Sequence, residues 1–374
     1  MDLRHGTNPH QRARIVGPSA LIVRHGVPSC INLLDALSAW PLVHETADAI
    51  RGPVAASFKH VSPAGAATAG HLDDAAMTAW GLSGAVGPLT AAYIRARDAD
   101  PKSSFGDMIA VSDPVDAELA DFLSRVVSDG IVAPGFEPGT VASLARKKRG
   151  TFLVLEADPG FAPPRWESRD VFGTTLEQER DRPISSSVLP DGLPRWAMRD
   201  CLLGLMTVRY TQSNSVALIK DGAALAIGSG QQNRVDCVRL AAGKAATWWL
   251  RRSPSIQAMG RPRGIPRQDW LNWQIRVADG DMTAGQRSDF AGLFPGHDAC
   301  IDAPARSAWL ERLSGATLVS DGYLPFRDNI EQAHRIGVRC VVEPGGSVRS
   351  DDVAAACDEA GMTLIRTGLR LFHH

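Results

Sequence analysis

The sequence predicts a layered α/β protein of two compact units, and three observations carry that expectation. At 374 residues the chain exceeds what one hydrophobic core usually organises. Short apolar runs alternate with small-residue turns and helix-like stretches, the pattern of strands covered by helices. Hydrophobic residues make up 44% of the chain and charged residues 22%, a balance in which burial offsets ordering entropy without disulfides or metal.

Taken in chain order, "PVAASF" (53 to 58) reads as a buried strand. Ser62-Pro63 then fits an N-cap with proline at the first helical position, so Lys59 and His60 are expected where a strand ends and a helix begins. The Pro-, Arg- and Asp-rich stretches 158 to 194 and 253 to 267 read as linkers or surface excursions. Between them Asp221-Gly222 separates two apolar runs and predicts a hairpin, followed by a long helix beginning just after Gly228-Ser229-Gly230. That helix start offers free N–H groups to an anion or carbonyl oxygen, although a plain tight turn explains the glycines as well. The last unit, 338 to 368, is a β-α-β pattern: strand Val338 to Val342, the turn Pro344-Gly345-Gly346, and a helix opening on Asp351 and Asp352. Gly361 ends that helix, and a second strand follows. "VSDG" occurs at 127 to 130 and again at 319 to 322, a short trace of internal duplication.

Forty Lys and Arg against 41 Asp and Glu give a formal charge of −1, which argues against the broad basic footprint of a nucleic-acid binder. No stretch approaches the roughly 20 apolar residues of a membrane span, and no secretory signal opens the chain. The six cysteines lie far apart without zinc spacing and read as reduced thiols of a cytoplasmic protein.

The chemistry-bearing candidates are few. Lys59 and His60 sit at the carboxyl end of a strand, where open α/β sheets bind ligands. Neighbours on a regular strand point to opposite faces, so the two converge on one substrate only if the strand has broken by His60. Convergence would let the ammonium disfavour protonation of the imidazole, leaving a neutral base, while also offering charge to an oxyanion. A surface lysine and a satisfied histidine are the commoner outcome for such a pair in isolation. Arg4 and Arg370 suit a phosphate, or else solvent. "YTQSNS" (210 to 215) offers amides and hydroxyls, and "SDGYLPFRDN" (320 to 329) suits a flat heterocycle, though an ordinary loop explains each. Trp248-Trp249 on a helix is more often core.

Together these stretches resemble the transformylase part of the AICAR transformylase/IMP cyclohydrolase family. The resemblance runs from "LRHGTNPHQ" through "FKHVSPAGAA", "SSFGDMIAVSD", "VSDGIVAPGFE", "YTQSNSV", "GSGQQNRVDCVRLAAGKAATWWLRR" and "SDGYLPFRDN" to the terminal "LRLFHH", in the family's order. It implies two duplicated cytidine-deaminase-like α/β/α units without zinc, with a helical insertion: 1 to 160 with about 251 to 307, and 161 to 250 with about 308 to 374. It also implies formyl transfer from 10-formyltetrahydrofolate to the 5-amino group of AICAR, in a homodimer whose sites span the interface. By resemblance His60 is the base, Lys59 stabilises the oxyanion or protonates the departing folate nitrogen, and Asn214 and Arg234 hold the carboxamide and reacting centre. Arg4 and Arg370 fall on phosphate contacts, Gly106, Asp129 and Tyr323 around the nucleotide, and Leu324, Pro325, Phe326 and Asn329 on the folate region. His10 and His374 match histidines near the site. Some members hold a structural potassium ion, which the resemblance places near Thr211, Ser213 and Asp321.

Two departures stand out. His5 replaces the family's usual tyrosine beside the nucleotide, which opens a second reading, a paralogue formylating another aminoimidazole or amine. The first motif begins at Leu3, so a monofunctional transformylase without ring closure is expected. A catalytically silent nucleotide- or folate-binding protein is the third reading, disfavoured by the intact Lys59 and His60.

Overall fold

The computed structural model describes residues 1–374. Its first half runs β1 (Leu21–His25), α1 (Cys30–Ile50), β2 (Val54–Lys59), β3 (Ser62–Thr68), α2 (Asp74–Trp80), α3 (Pro88–Asp98), β4 (Asp107–Val111), α4 (Ala117–Ser124), β5 (Ser128–Ala133), α5 (Thr140–Ala145) and β6 (Leu153–Ala157). An exposed hairpin follows, β7 (Trp166–Val171) and β8 (Thr174–Glu179). The second half begins with α6 (Arg195–Arg209), β9 (Val216–Lys220), β10 (Ala223–Gly228) and α7 (Arg234–Leu250). Four helices intervene, α8 (Pro254–Gln257), α9 (Arg267–Asp279), α10 (Ala284–Leu293) and α11 (Ala303–Leu310). It closes with β11 (Ala316–Ser320), α12 (Arg327–Arg335), β12 (Val338–Glu343), α13 (Ser350–Glu359) and β13 (Thr363–Arg366). No helix is long and apolar enough to cross a membrane.

One sheet of 11 strands carries both halves, in the order β1-β6-β5-β4-β2-β3-β10-β9-β11-β12-β13. Each half repeats one plan: helix, antiparallel hairpin, helix, then three parallel strands stacked beside the hairpin's first strand. The halves meet antiparallel at Ala67 and Ala223, reinforced by Thr68 N–H donating to Gly222 O at 2.8 Å. One core packs α1 and α6 together on one face, with Leu42, Phe58, Leu203 and Ile219 at its centre. On the other face, α8 to α10 share a core with α2, α3 and α4 through Ile256, Trp270 and Phe290. Trp249 and Trp309 stack with ring centroids 5.5 Å apart, and each indole N–H donates to the other's carbonyl, at 2.7 and 2.9 Å. These indoles are half-buried packing groups.

The Asp221-Gly222 hairpin and the final β-α-β unit form as expected. Two expectations are corrected. Ser62-Pro63 opens strand β3 and not a helix, because "AGAAT" lets helix α3 approach too closely for larger residues: a Cβ on Gly65 would lie 2.0 Å from Ala96 O. Pro63 is tolerated at a register break beside Phe58, where the missing N–H costs little. The turn of this hairpin is His60-Val61, with φ of 54° and 60°, the left-handed pair that two-residue hairpins require. The stretch 158 to 194 is a surface excursion, as expected, and carries the exposed hairpin of β7 and β8. Second, the two "VSDG" copies occupy unlike places, one opening β5 and the other closing β11. The counterpart of Val319-Ser320-Asp321 is Val111-Ser112-Asp113, at the matching end of β4. The helix after Gly228-Ser229-Gly230 starts only at Arg234, and Asn233 already caps it by accepting from Asp236 N at 2.9 Å.

Two stability predictions follow from this packing. Gly65→Ala forces Cβ into the α3 backbone and is expected to lower unfolding free energy by about 3 kcal/mol, read from the urea midpoint. Asp98 is buried, which raises its pKa, but the Arg251 and Arg252 guanidiniums (2.8 and 2.7 Å) overcome this and hold the carboxyl below its ordinary value. A depressed folded-state pKa stabilises the fold above the unfolded value, and that contribution is lost as pH falls through the folded value. Asp98→Asn should therefore destabilise the protein near pH 7 by about 3 kcal/mol and narrow the gap between urea midpoints measured at neutral and at acid pH. An unchanged gap would exclude Asp98 as a source of the acid sensitivity.

Candidate functional site

Strand directions gather the candidate residues at one end of the sheet. β2 ends there at Lys59, and β4, antiparallel to it, begins opposite, with Met108 across from Phe58. β5 runs parallel to β4, so Ser128 and Asp129 start at the same end. β10 begins beside Ala67, at the far end of β3, so it finishes at Gly228 on the near side. Gly228 faces Val216, where β9 starts, and β11 ends there too, with Ser320 opposite Val216.

The first cluster surrounds the His60-Val61 turn. β2 has ended by His60, so the pair leaves regular strand geometry, and His60 is exposed. Lys59 Nζ donates to Phe105 O, just before Gly106. Gly106 has φ of 74°, and a Cβ there would stand 3.3 Å from Lys59 Nζ and 3.6 Å from Asp129 Oδ1. Its position is set by the next residue: Asp107 is fully buried and accepts from Arg97 (2.7 Å), Ser57 (2.7 Å) and Tyr93 (3.1 Å). Breaking such a buried pair costs about 3–5 kcal/mol. Asp129 is paired with Lys148 at 2.6 Å. Beneath the turn Asp35 of α1 accepts from Val61 N–H at 2.6 Å. Burial raises the Asp35 carboxyl above its ordinary value, opposed by the Val61 N–H and by the charges of His60 and Lys59.

The second cluster is a hydrogen-bonded knot. Arg234, nearly buried at the start of α7, donates to Asp321, to Ser215 O at 2.9 Å and to Asn214 Oδ1 at 2.9 Å. Asn214 Nδ2 donates to Gln231 O at 2.9 Å, so the side-chain amide is held by both of its ends. Cys237, whose thiol burial pushes up to about 11, donates to Asn214 O at 3.0 Å. Asp321 also accepts from Ser213 Oγ and from Ser215 N–H at 3.0 Å. The C-terminal segment closes over this knot: Leu371 N–H donates to Asp321 O at 2.8 Å and Ser213 N–H to His373 O at 3.0 Å. Gly322 lies close beneath them: a Cβ there would stand 2.7 Å from Arg234 Nη2 and from the Phe372 ring, so either side chain would have to shift. Burial lowers the His373 pKa, while the adjacent His374 is exposed and its carbonyl accepts from Arg169 of β7 at 3.0 Å.

Beside the knot, Tyr323 and Phe326 are exposed and Leu324 is buried, its N–H donating to Glu343 Oε2 at 2.8 Å. Burial raises the Glu343 carboxyl. Asn329 is buried and donates to Phe326 O at 2.9 Å, which fixes the Leu324-Pro325-Phe326 turn at the start of α12. An open cleft of about 430 Å³ is lined by Phe326, Arg327, Asp328, Arg349, Asp352 and Ala355.

Arg4 and His5 lie by the start of α1: Arg4 reaches Asn32 Oδ1 at 3.5 Å, and the His5 ring bonds Gly6 O at 2.8 Å. Arg370 belongs to the other cluster, over the Phe372 ring at 4.8 Å, so the two phosphate candidates flank different knots. His10 is exposed in the N-terminal segment. Thr211 Oγ donates to Thr207 O at 2.6 Å, Ser213 Oγ to Asp321, and Asp321 is paired with Arg234. Donating these O–H bonds leaves the hydroxyl lone pairs open to a cation, and Ser215 Oγ in the same knot is buried without a partner.

Asp35, Asn32 and Lys148 escaped the sequence reading. Asn32, Asp35, Ala39, Leu42 and Thr46 are all buried on α1 at three- and four-residue spacing, so a carboxylate on the inward stripe was the available signal. Lys148 lies in a basic run, where one lysine looks like any other until the fold sets it against Asp129.

Comparison with known proteins identifies the family of the chain. Residues 1–244 match the family model described as AICARFT/IMPCHase bienzyme. The chain is 30% identical over its whole length to the bifunctional purine biosynthesis protein PurH of Roseobacter denitrificans and 28% identical to that of Cereibacter sphaeroides. In each case it spans 59% of the relative's length. With the family model covering well over half of the sequence, the chain belongs to the AICARFT/IMPCHase bienzyme family.

Proposed function

We propose that the chain transfers the formyl group of 10-formyltetrahydrofolate to the 5-amino group of AICAR, a cytoplasmic step of purine biosynthesis. The single observation that carries this reading is the Lys59-His60 turn, held at the same end of the sheet as the Asn214-Arg234-Asp321 knot. The acceptor amine is a weak nucleophile, because its lone pair is delocalised into the ring and carboxamide. It attacks the formyl carbon as His60 takes its proton, which restores nucleophilicity as the new C–N bond forms. Lys59 keeps its ammonium anchored on Phe105 O and offers its remaining N–H bonds to the tetrahedral oxyanion. Collapse breaks the bond from carbon to the folate nitrogen, which receives a proton from the Lys59 side.

Asn214 and Arg234 hold the carboxamide, and their mutual hydrogen bond fixes both before substrate arrives. Gly106, Asp129 and Tyr323 border the nucleotide, Arg4, His5 and Arg370 its phosphate end, and Leu324, Pro325, Phe326 and Asn329 the folate heterocycle. The repeated topology supports two cytidine-deaminase-like units. The 251 to 307 helices go with the first of these, since α8 to α10 share its core.

Within one chain the two clusters are joined at this end by a long hydrogen bond, Gln212 N–H to Ser62 Oγ at 3.4 Å. We infer that a partner subunit completes each pocket in a homodimer, the arrangement the separate placement of Arg4 and Arg370 favours.

Replacing His60 by Ala should lower kcat for tetrahydrofolate formation about 100-fold or more with AICAR as acceptor. Wild-type protein that forms no tetrahydrofolate above background refutes the reaction outright. Mixing inactive His60→Ala with inactive Arg370→Ala protein should restore about a quarter of wild-type turnover, because a two-fold dimer then holds one intact site in every mixed pair. Failure to recover any turnover after verified subunit exchange would mean that each site belongs to a single chain.

A further inference from the structure

The two hairpin turns at opposite ends of the sheet share one anchor. Asp35 is the sixth residue of α1 and its Oδ1 accepts from Val61 N–H at 2.6 Å. Asp200 is the sixth residue of α6 and its Oδ1 accepts from Gly222 N–H at 2.7 Å. Both carboxylates are buried, at 8% and 1% exposure, and both turns place two residues at positive φ. A lysine precedes each turn, and each lysine stands by a left-handed glycine, Lys59 by Gly106 and Lys220 by Gly315.

The two anchors differ in their surroundings. Asp200 is paired with Arg199 at 3.0 Å, so its charge is neutralised locally. Asp35 has no such private partner: the basic groups that act on it are Lys59 and His60 of the turn itself, and Asp129 is the nearby like charge. The far turn uses Asp-Gly, residues that adopt left-handed conformations at low cost; the near turn uses His-Val. A β-branched residue at φ of 60° persists only when its surroundings hold it there. The Val61 N–H bond to Asp35 ties this residue to the helix beneath it.

We infer that Asp35 is the positioning residue of the catalytic turn: it clamps Val61 N–H, so that the backbone presents His60 outward beside Lys59. The kinetic part of this inference rests on the formyl-transfer reading; the anchoring part does not.

The test compares Asp35→Ala, Asp35→Asn and Asp200→Ala in the full chain, by backbone amide exchange over each turn and by steady-state kinetics with AICAR and 10-formyltetrahydrofolate. Each alanine variant should lose exchange protection at its own turn. Asp35→Ala should lower kcat about 100-fold while KM for AICAR moves less than about threefold, the signature of a displaced catalytic group with substrate contacts intact. Asp200→Ala should leave kcat within about twofold. Asp35→Asn keeps an oxygen acceptor for Val61 N–H and should return kcat to within about tenfold of wild type. Should Asp35→Ala not fold, Asp35→Glu serves instead, its longer side chain displacing the acceptor and lowering kcat about tenfold. Equal kcat losses in Asp35→Ala and Asp200→Ala would reduce Asp35 to general scaffolding and overturn the inference, as would unchanged protection at Val61 in Asp35→Ala. If the wild-type protein does not turn over AICAR, the formyl-transfer reading fails on its own, and the exchange measurement alone decides whether Asp35 holds the turn.

Discussion

The antiparallel seam between β3 and β10 is the constraint on which the rest of the molecule depends. It is short, with Ala67 opposite Ala223 and Thr68 N–H on Gly222 O, yet it fuses two half-sheets into one. Because the seam is antiparallel, the hairpin of each half turns at the opposite end of the sheet from its counterpart. One end therefore receives the first half's hairpin turn together with the second half's strand termini and the start of α7. Unlike pieces meet there, and an asymmetric site arises from a symmetric plan. The small residues of β3 allow this, since Gly65 lets α3 lie directly on the strand.

Much of this was legible in the chain itself. The Asp221-Gly222 hairpin and the final β-α-β unit carried conventional turn and cap chemistry, so local residues sufficed. The near hairpin was not legible, because His60-Val61 is a poor advertisement for a left-handed turn and Ser62-Pro63 imitates a helix start. Its conformation is imposed from outside by Asp35, 26 residues earlier, and no local rule reports such a contact. The candidate residues themselves were found through motif resemblance, whereas their grouping into two knots, with Arg4 in one and Arg370 in the other, needed strand directions and registers.

The two knots differ in electrostatic character. Around the near turn the charges are loosely matched: Lys59 is held by a carbonyl, Asp129 by an exposed lysine, and Asp35 by an amide. Such groups remain free to respond to an incoming ligand. The second knot is closed, with Arg234 and Asp321 buried and their hydrogen bonds satisfied by Ser213, Ser215 and Asn214. Its polar groups are committed to one another, whereas those of the near turn are not.

The reciprocal bonding of Trp249 and Trp309 has its own consequence. α7 starts within the closed knot and ends at this clasp, so the clasp is mechanically continuous with the site. Because each indole N–H is bonded to the other's backbone, the clasp cannot open by halves: moving either helix breaks both bonds and the stacking together.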